Sequence, residues 1–203
     1  PVIQLQFPCA NAQNGTQCGA ANDLVLGRNK DAYVTDTGLG KVYHVSDKSI
    51  EQVASDPLLQ SQSPPFGANG ILLVSPQVLL VGNYGKGTLV RVDLRTKAIV
   101  NIQIDQPIGN PDGMLLLKDQ RVIVVTATKL FVLVNDCDWR KLKVAEVIDI
   151  DRSKDGESAT TATFGDHECE IFITYVRFDE LFGNAVNANP SLVGRVLLDC
   201  AIQ

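Results

Sequence analysis

The chain is built from short apolar runs separated by turn-forming residues. The runs are Asp31-Ala-Tyr-Val-Thr35, Lys41-Val-Tyr-His-Val45, Ile71-Leu-Leu-Val74, Val78-Leu-Leu-Val81, Thr88-Leu-Val-Arg-Val92, Arg121-Val-Ile-Val-Val-Thr126, Leu130-Phe-Val-Leu-Val134, Val144-Ala-Glu-Val-Ile148 and Glu170-Ile-Phe-Ile-Thr-Tyr175. They are rich in β-branched residues, and Gly, Pro, Asn or Asp bounds most of them. Runs of this length read as strands, either alternating or buried on both faces. Helical periodicity is weak. The one candidate, Ser49 to Leu59, reads equally as an outer strand and loop.

The runs recur in a fixed order. Asn22-Asp-Leu-Val-Leu leads to Ala32-Tyr-Val-Thr and Lys41-Val-Tyr-His-Val. Asn69-Gly-Ile-Leu-Leu leads to Val78-Leu-Leu-Val and Gly87-Thr-Leu-Val-Arg-Val. Asp112-Gly-Met-Leu-Leu leads to Arg121-Val-Ile-Val-Val and Lys129-Leu-Phe-Val-Leu. Ser158-Ala-Thr-Thr-Ala leads to Cys169-Glu-Ile-Phe-Ile-Thr and Gly194-Arg-Val-Leu-Leu. The starts lie 47, 43 and 46 residues apart. Three or four strands per unit at that period is the signature of propeller blades. A β-sandwich has similar strand counts but no reason to repeat this order four times. The expectation is an all-β propeller of the six-bladed type, one domain over 1–203, with about four blades in this chain at 20–60, 67–105, 110–150 and 157–203. Val2 to Phe7 reads as the outer strand of a preceding blade, or as the strand that closes the last one. Open sheet edges invite pairing, so a missing N-terminal fragment or partner subunit is expected to complete the ring.

Composition narrows the partners. The net charge is −5 and no Lys/Arg cluster stands out, which argues against a nucleic-acid surface. No apolar run reaches the roughly 18–20 residues that span a bilayer. The chain opens on Pro1 without Met or a secretory signal, which reads as a processed or incomplete chain. Of the five cysteines, Cys9 and Cys18 flank the glycosylation triplet Asn14-Gly15-Thr16. A stapled loop there places the protein in the secretory pathway, in the vacuole or outside the cell. The bland alternative is free, buried cysteines in the cytoplasm.

In a propeller the first strand of each blade lines the central channel. The four leading positions are Asn22, Asn69, Asp112 and Ser158. Amide and carboxylate oxygens converging from separate blades suit Ca²⁺, whereas zinc favours His or Cys. Asn and Asp also favour turns, so capping hairpins is the competing reading.

These residues carry a resemblance. Asn22-Asp23 followed by Ala32-Tyr-Val-Thr-Asp-Thr37, Asn69-Gly70-Ile71, Pro111-Asp112-Gly113-Met114, and Thr161-Ala-Thr-Phe-Gly165 leading into Glu170-Ile-Phe-Ile-Thr174 stand in the order of motifs of one superfamily. It is the gluconolactonase, senescence-marker-protein, luciferin-regenerating-enzyme and phosphotriesterase superfamily. Ser158-Ala-Thr-Thr-Ala-Thr163 is similar to its plant calcium-dependent phosphotriesterase-like members. The resemblance implies a six-bladed propeller with a catalytic Ca²⁺, or another divalent cation, in the channel. It implies Asn69 and Asp112 as metal ligands, Asn22 as ligand or substrate contact, and Asp112 and Asp23 as catalytic carboxylates. The family also uses a Glu from its first blade, which nothing here matches. The expected activity is hydrolysis of small-molecule esters, lactones or phosphoesters. The rival class is a non-catalytic propeller that binds a small molecule, sugar or protein.

Other candidates read as structure. His44 lies on a third strand, away from the channel, and His167 lies in a polar hairpin with Asp166, Glu168 and Cys169. Trp139 sits among charged residues at a blade edge. Gly38-Leu-Gly40 and Gly82-Asn-Tyr-Gly-Lys-Gly87 join strands, whereas a phosphate-binding loop leads into a helix.

Overall fold

A computed structural model describes residues 19–61, 66–167, 169–178 and 192–198. Val2 to Phe7, Cys9, Cys18, the Asn14 triplet, Glu168 and Cys200 lie outside the described residues. The first sheet runs β1 (Ala21–Leu26), β2 (Ala32–Asp36), β3 (Lys41–Val45), β4 (Ile50–Ser55). The second runs β5 (Ala68–Ser75), β6 (Val78–Asn83), β7 (Thr88–Asp93), β8 (Ile99–Asn101). A two-residue strand, β9 (Gln103–Ile104), leaves the second unit and pairs parallel to the outer edge of the third. That third sheet is β10 (Met114–Leu116), β11 (Val122–Val125), β12 (Lys129–Asn135), β13 (Lys141–Asp149). The fourth is β14 (Ser158–Phe164), β15 (Glu170–Val176), β16 (Leu192–Leu197).

Within each sheet successive strands are antiparallel neighbours. The first strands also neighbour one another, β1 against β5, β5 against β10 and β10 against β14. The chain is therefore a β-propeller, with four blades whose first strands stand next to one another. Ser49 to Leu59 holds no α-helix: it forms β4 and one 3-10 turn, Pro57–Leu59, whose first turn Asp56 caps by accepting from Leu58 N–H at 2.8 Å.

The apolar residues fill the gaps between blades. Val42, Ala54, Ile71, Leu79, Val81 and Val90 pack between the first and second blades. Leu80, Leu89, Val122, Val124 and Leu133 pack between the second and third. Ile123, Val125, Leu130, Ile171 and Ile173 pack between the third and fourth. A middle strand of an inner blade has a blade on both faces, which is why every residue of β6 is buried. Strands at the ends of the arc alternate instead. Leu24 and Leu26 of β1 are 58% and 70% exposed while Val25 packs inward. Val193 and Leu197 of β16 are 63% and 62% exposed while Val196 packs inward.

Trp139 is core, not edge. It is buried among the residues between the second and third blades, in the turn from β12 to β13. Positive φ values at Cys137 and Trp139 bend that turn back toward the sheet. Its N–H donates to Asn135 Oδ1 at 2.9 Å.

One device recurs at the end of the second strand in the first three blades. Asp36 Oδ1 accepts from Leu39 N–H at 2.9 Å, Asn83 Oδ1 from Lys86 N–H at 3.1 Å, and Thr126 Oγ1 from Lys129 N–H at 3.2 Å. A short polar side chain thus ties the hairpin to its own strand. Asn83 does more. It is fully buried, and its Nδ2 donates to Leu58 O at 2.8 Å and Gln60 O at 3.0 Å, clamping the link from the first blade onto the second. Asn83→Ala leaves two carbonyls and an amide at this part-buried junction without their partner. The expected loss is about 3 kcal/mol, read as a lower denaturation midpoint at unchanged slope. A loss below about 0.5 kcal/mol, the level of an ordinary surface substitution, is the contrary result.

Candidate functional site in the channel

The polar residues that open the blades stand at or just before first strands that neighbour one another. Asn69 is buried, and its Oδ1 has no hydrogen-bond partner. Asp112 is half-buried, and burial pushes its carboxyl up to about 7, with the Asp23 charge adding to the shift. Asp23 is also half-buried, and burial raises it as well, against hydrogen bonds that pull the other way. Those bonds orient it: Leu24 N–H donates to Oδ1 at 2.8 Å and Ile71 N–H to Oδ2 at 3.2 Å. Asn22 presents an exposed side chain, and Ser158 is half-buried. Among the described residues, no group of three or more His, Cys, Asp and Glu is placed to hold a metal. Any cation here relies on amide oxygen as well as carboxylate.

The backbone explains why these residues converge. In the second and third blades the polar residue is followed by glycine, and the glycine lets the next inner strand approach. A Cβ on Gly70 would stand 1.8 Å from the Asp112 carbonyl oxygen, and one on Gly113 would stand 2.4 Å from Thr161 Oγ1. Gly113 N–H donates to Thr160 O at 2.8 Å and Asp112 N–H to Val125 O at 2.8 Å, which fixes this stretch between two blades. In the first blade Asp23 takes the place of that glycine. Its carboxylate therefore lies against the second blade's inner strand, where it meets Ile71.

Two supporting roles carry no sequence signal of their own. Thr35 is fully buried and links three strands: its Oγ1 accepts from Asp23 N–H at 3.0 Å and donates to Asn69 O at 2.7 Å. Tyr84 sits in the turn after β6, where burial and then the Asp112 charge raise its hydroxyl. Both described histidines do structural work or face solvent. His44 pairs with Asp31 at 2.7 Å and stacks near Tyr33 on the first blade. His167 is exposed in the turn between β14 and β15.

No protein-family model and no curated protein matches the chain. Solved structures do. A gluconolactonase from Xanthomonas campestris matches with a TM-score of 0.59 at 16% identity, over 94% of this chain and 60% of that one. A luciferin-regenerating enzyme matches with a TM-score of 0.61 at 16% identity, over 88% and 61%. A catalytically inactive virginiamycin B lyase from Staphylococcus aureus, solved with quinupristin, matches with a TM-score of 0.56 at 14% identity, over 93% and 58%. At these identities the likeness is one of fold. It places the chain among β-propellers, a fold that the matched lactonase and lyase enzymes share. The chain spans about three fifths of the length of these structures.

Proposed function

We propose that this chain is the larger part of a calcium-dependent hydrolase acting on esters, lactones or phosphoesters at the channel. The observation that carries the reading is the orphaned Asn69 Oδ1 on a strand that packs against two acids whose burial raises them. A buried polar atom without a partner is costly, and so are two carboxylates sharing one site. A hard cation relieves both. Asn69 and Asp112 would hold it, with Asn22 or a substrate oxygen completing the shell, and oxygen donors of this kind fit Ca²⁺. Held there, such a cation would supply Lewis-acid polarisation of a carbonyl or phosphoryl oxygen.

The chain's own residues supply orientation and proton transfer. Asp23 is held by two backbone amides, and each of its oxygens keeps a free lone pair. It takes a proton from an attacking water as the new oxygen bond forms, and returns it to the departing alkoxide. Thr35 positions Asp23 and the Asn69 backbone relative to each other. The reading also calls on a further blade, supplied by a longer form of the protein or by a partner, to bring the Glu that the family resemblance implies. Exposed Leu24, Leu26, Val193 and Leu197 at the ends of the arc support such a neighbour.

The test is hydrolysis of a lactone and an aryl phosphotriester with and without a chelator, alongside calcium titration by calorimetry. The expected result is chelator-sensitive turnover and a dissociation constant of roughly 10⁻⁵–10⁻³ M. Turnover that survives chelation sinks the metal. Calcium binding without turnover on any ester, in a longer form that carries the further blade as well as in this chain, favours the binding-platform class.

A further inference from the structure

Beside the start of the second blade's inner strand stands an aromatic pair that the polar cluster does not account for. Phe66 is 44% exposed, just before the strand that carries Asn69. Its ring meets the Tyr84 ring edge-on, at 6.1 Å between centroids and 87° between planes. The pair is rigidly mounted. Tyr84 N–H donates to Gly67 O at 3.1 Å and Gly85 N–H to Phe66 O at 2.8 Å. Asn110 Nδ2 donates to Tyr84 O at 2.6 Å, fixing the Tyr84 turn to the segment that leads two residues later to Asp112. A Cβ on Gly82, near the end of β6, would stand 3.2 Å from Pro111 Cβ, so the strand that leads into this turn also abuts that segment. Exposed aromatic side chains beside polar groups are a typical composition for a small-molecule pocket.

We infer that Phe66 and Tyr84 form an aromatic wall at the channel, and that the preferred substrates are esters or lactones carrying a flat apolar ring. The inference rests on the hydrolase reading above and narrows it to a substrate class. An edge-to-face pair leaves the face of one ring open to a third ring, whereas a polyhydroxylated or short aliphatic acid gains little from such a surface. Asn69, Asp23 and Asp112 then engage the ester group while the ring rests on the wall.

The test compares kcat/KM for dihydrocoumarin, an aromatic lactone, and δ-valerolactone, its aliphatic counterpart of equal ring size. The full chain is compared with Phe66→Leu, Phe66→Leu/Tyr84→Leu and Tyr84→Phe. The aromatic-to-aliphatic ratio is expected to fall about fivefold in Phe66→Leu, further in the double variant, and to stay unchanged in Tyr84→Phe, which keeps the ring. A merely structural role moves both substrates by the same factor and leaves the ratio flat, which overturns the inference. If neither lactone is hydrolysed, by this chain or by a longer form that carries the further blade, the hydrolase reading fails, and the wall is judged by calorimetric binding of 2-naphthol. About fivefold weaker binding in Phe66→Leu supports the wall. No binding, or an unchanged dissociation constant, overturns it.

Discussion

Asp112→Asn is expected to stabilise the chain at pH 8 without calcium and to abolish its stabilisation by calcium. The sign follows from linkage. The Asp112 carboxyl is pushed up to about 7, by burial first and by Asp23 second, from an ordinary value of 3.8. A folded state that holds its proton more tightly than the unfolded one loses stability as pH rises. The stability tied to this proton is complete below pH 3.8, drains between pH 3.8 and about 7, and is gone above. At pH 8 the buried charge therefore costs on the order of 3 kcal/mol, discounted for partial exposure and for sharing with Asp23. Asparagine keeps the shape and removes the charge. In excess calcium the order reverses. A ligand at a hundredfold excess over its dissociation constant adds about 2.7 kcal/mol to the wild type, and the variant has lost the carboxylate that holds it. Melting curves at pH 5 and pH 8, each with chelator and with calcium, read all four corners. A variant less stable than wild type in chelator at pH 8, or one that calcium still stabilises, contradicts the account.

The fold was legible because blades repeat and strands announce themselves by β-branched runs. Asn69 and Asp112 stand at equal places in two units of the sequence, and in the structure Gly70, next to Asn69, abuts the Asp112 backbone. Less could be read where one residue decides a facing. Asn22 and Asp23 are adjacent polar residues, and a strand sends neighbours to opposite sides. An irregularity between Ala21 and Leu24 then adjusts the register, and Asp23 is the one buried against the second blade. Strand β9 has two residues and no period to detect. Trp139 reads as a rim residue from its charged neighbours, and only the left-handed turn brings it inward. Thr35 looks like any strand threonine; its role depends on Asn69, far along the chain, arriving opposite its hydroxyl. Pattern gives the class of position, and long-range contact gives the role.

Gly70→Ala is expected to be the most damaging single-methyl substitution at the site. Its backbone is ordinary, so an alanine there carries no conformational penalty; the damage is steric. The added Cβ would lie 1.8 Å from the Asp112 carbonyl oxygen, 2.8 Å from its carbonyl carbon and 3.4 Å from Gly113 Cα. All three are main-chain atoms of the neighbouring blade, tied in turn by the Asp112 N–H to Val125 O and Gly113 N–H to Thr160 O bonds. No side chain can swing aside. Relief comes only if β5 and β10 separate, which loosens the packing between the second and third blades and draws Asn69 away from Asp112. Overpacking of this kind costs about 3 kcal/mol or more, and the site loses geometry with it. Gly109→Ala supplies the contrast. That glycine has φ +73°, and an added Cβ would meet nothing within 4 Å, so its cost is conformational alone, about 1 kcal/mol. Denaturant titrations of both variants should separate them by at least twofold, with calcium affinity reduced in Gly70→Ala and retained in Gly109→Ala. Equal losses in the two would mean that the blades are not in contact behind the site, and the convergence of Asn69 and Asp112 would lose its physical basis.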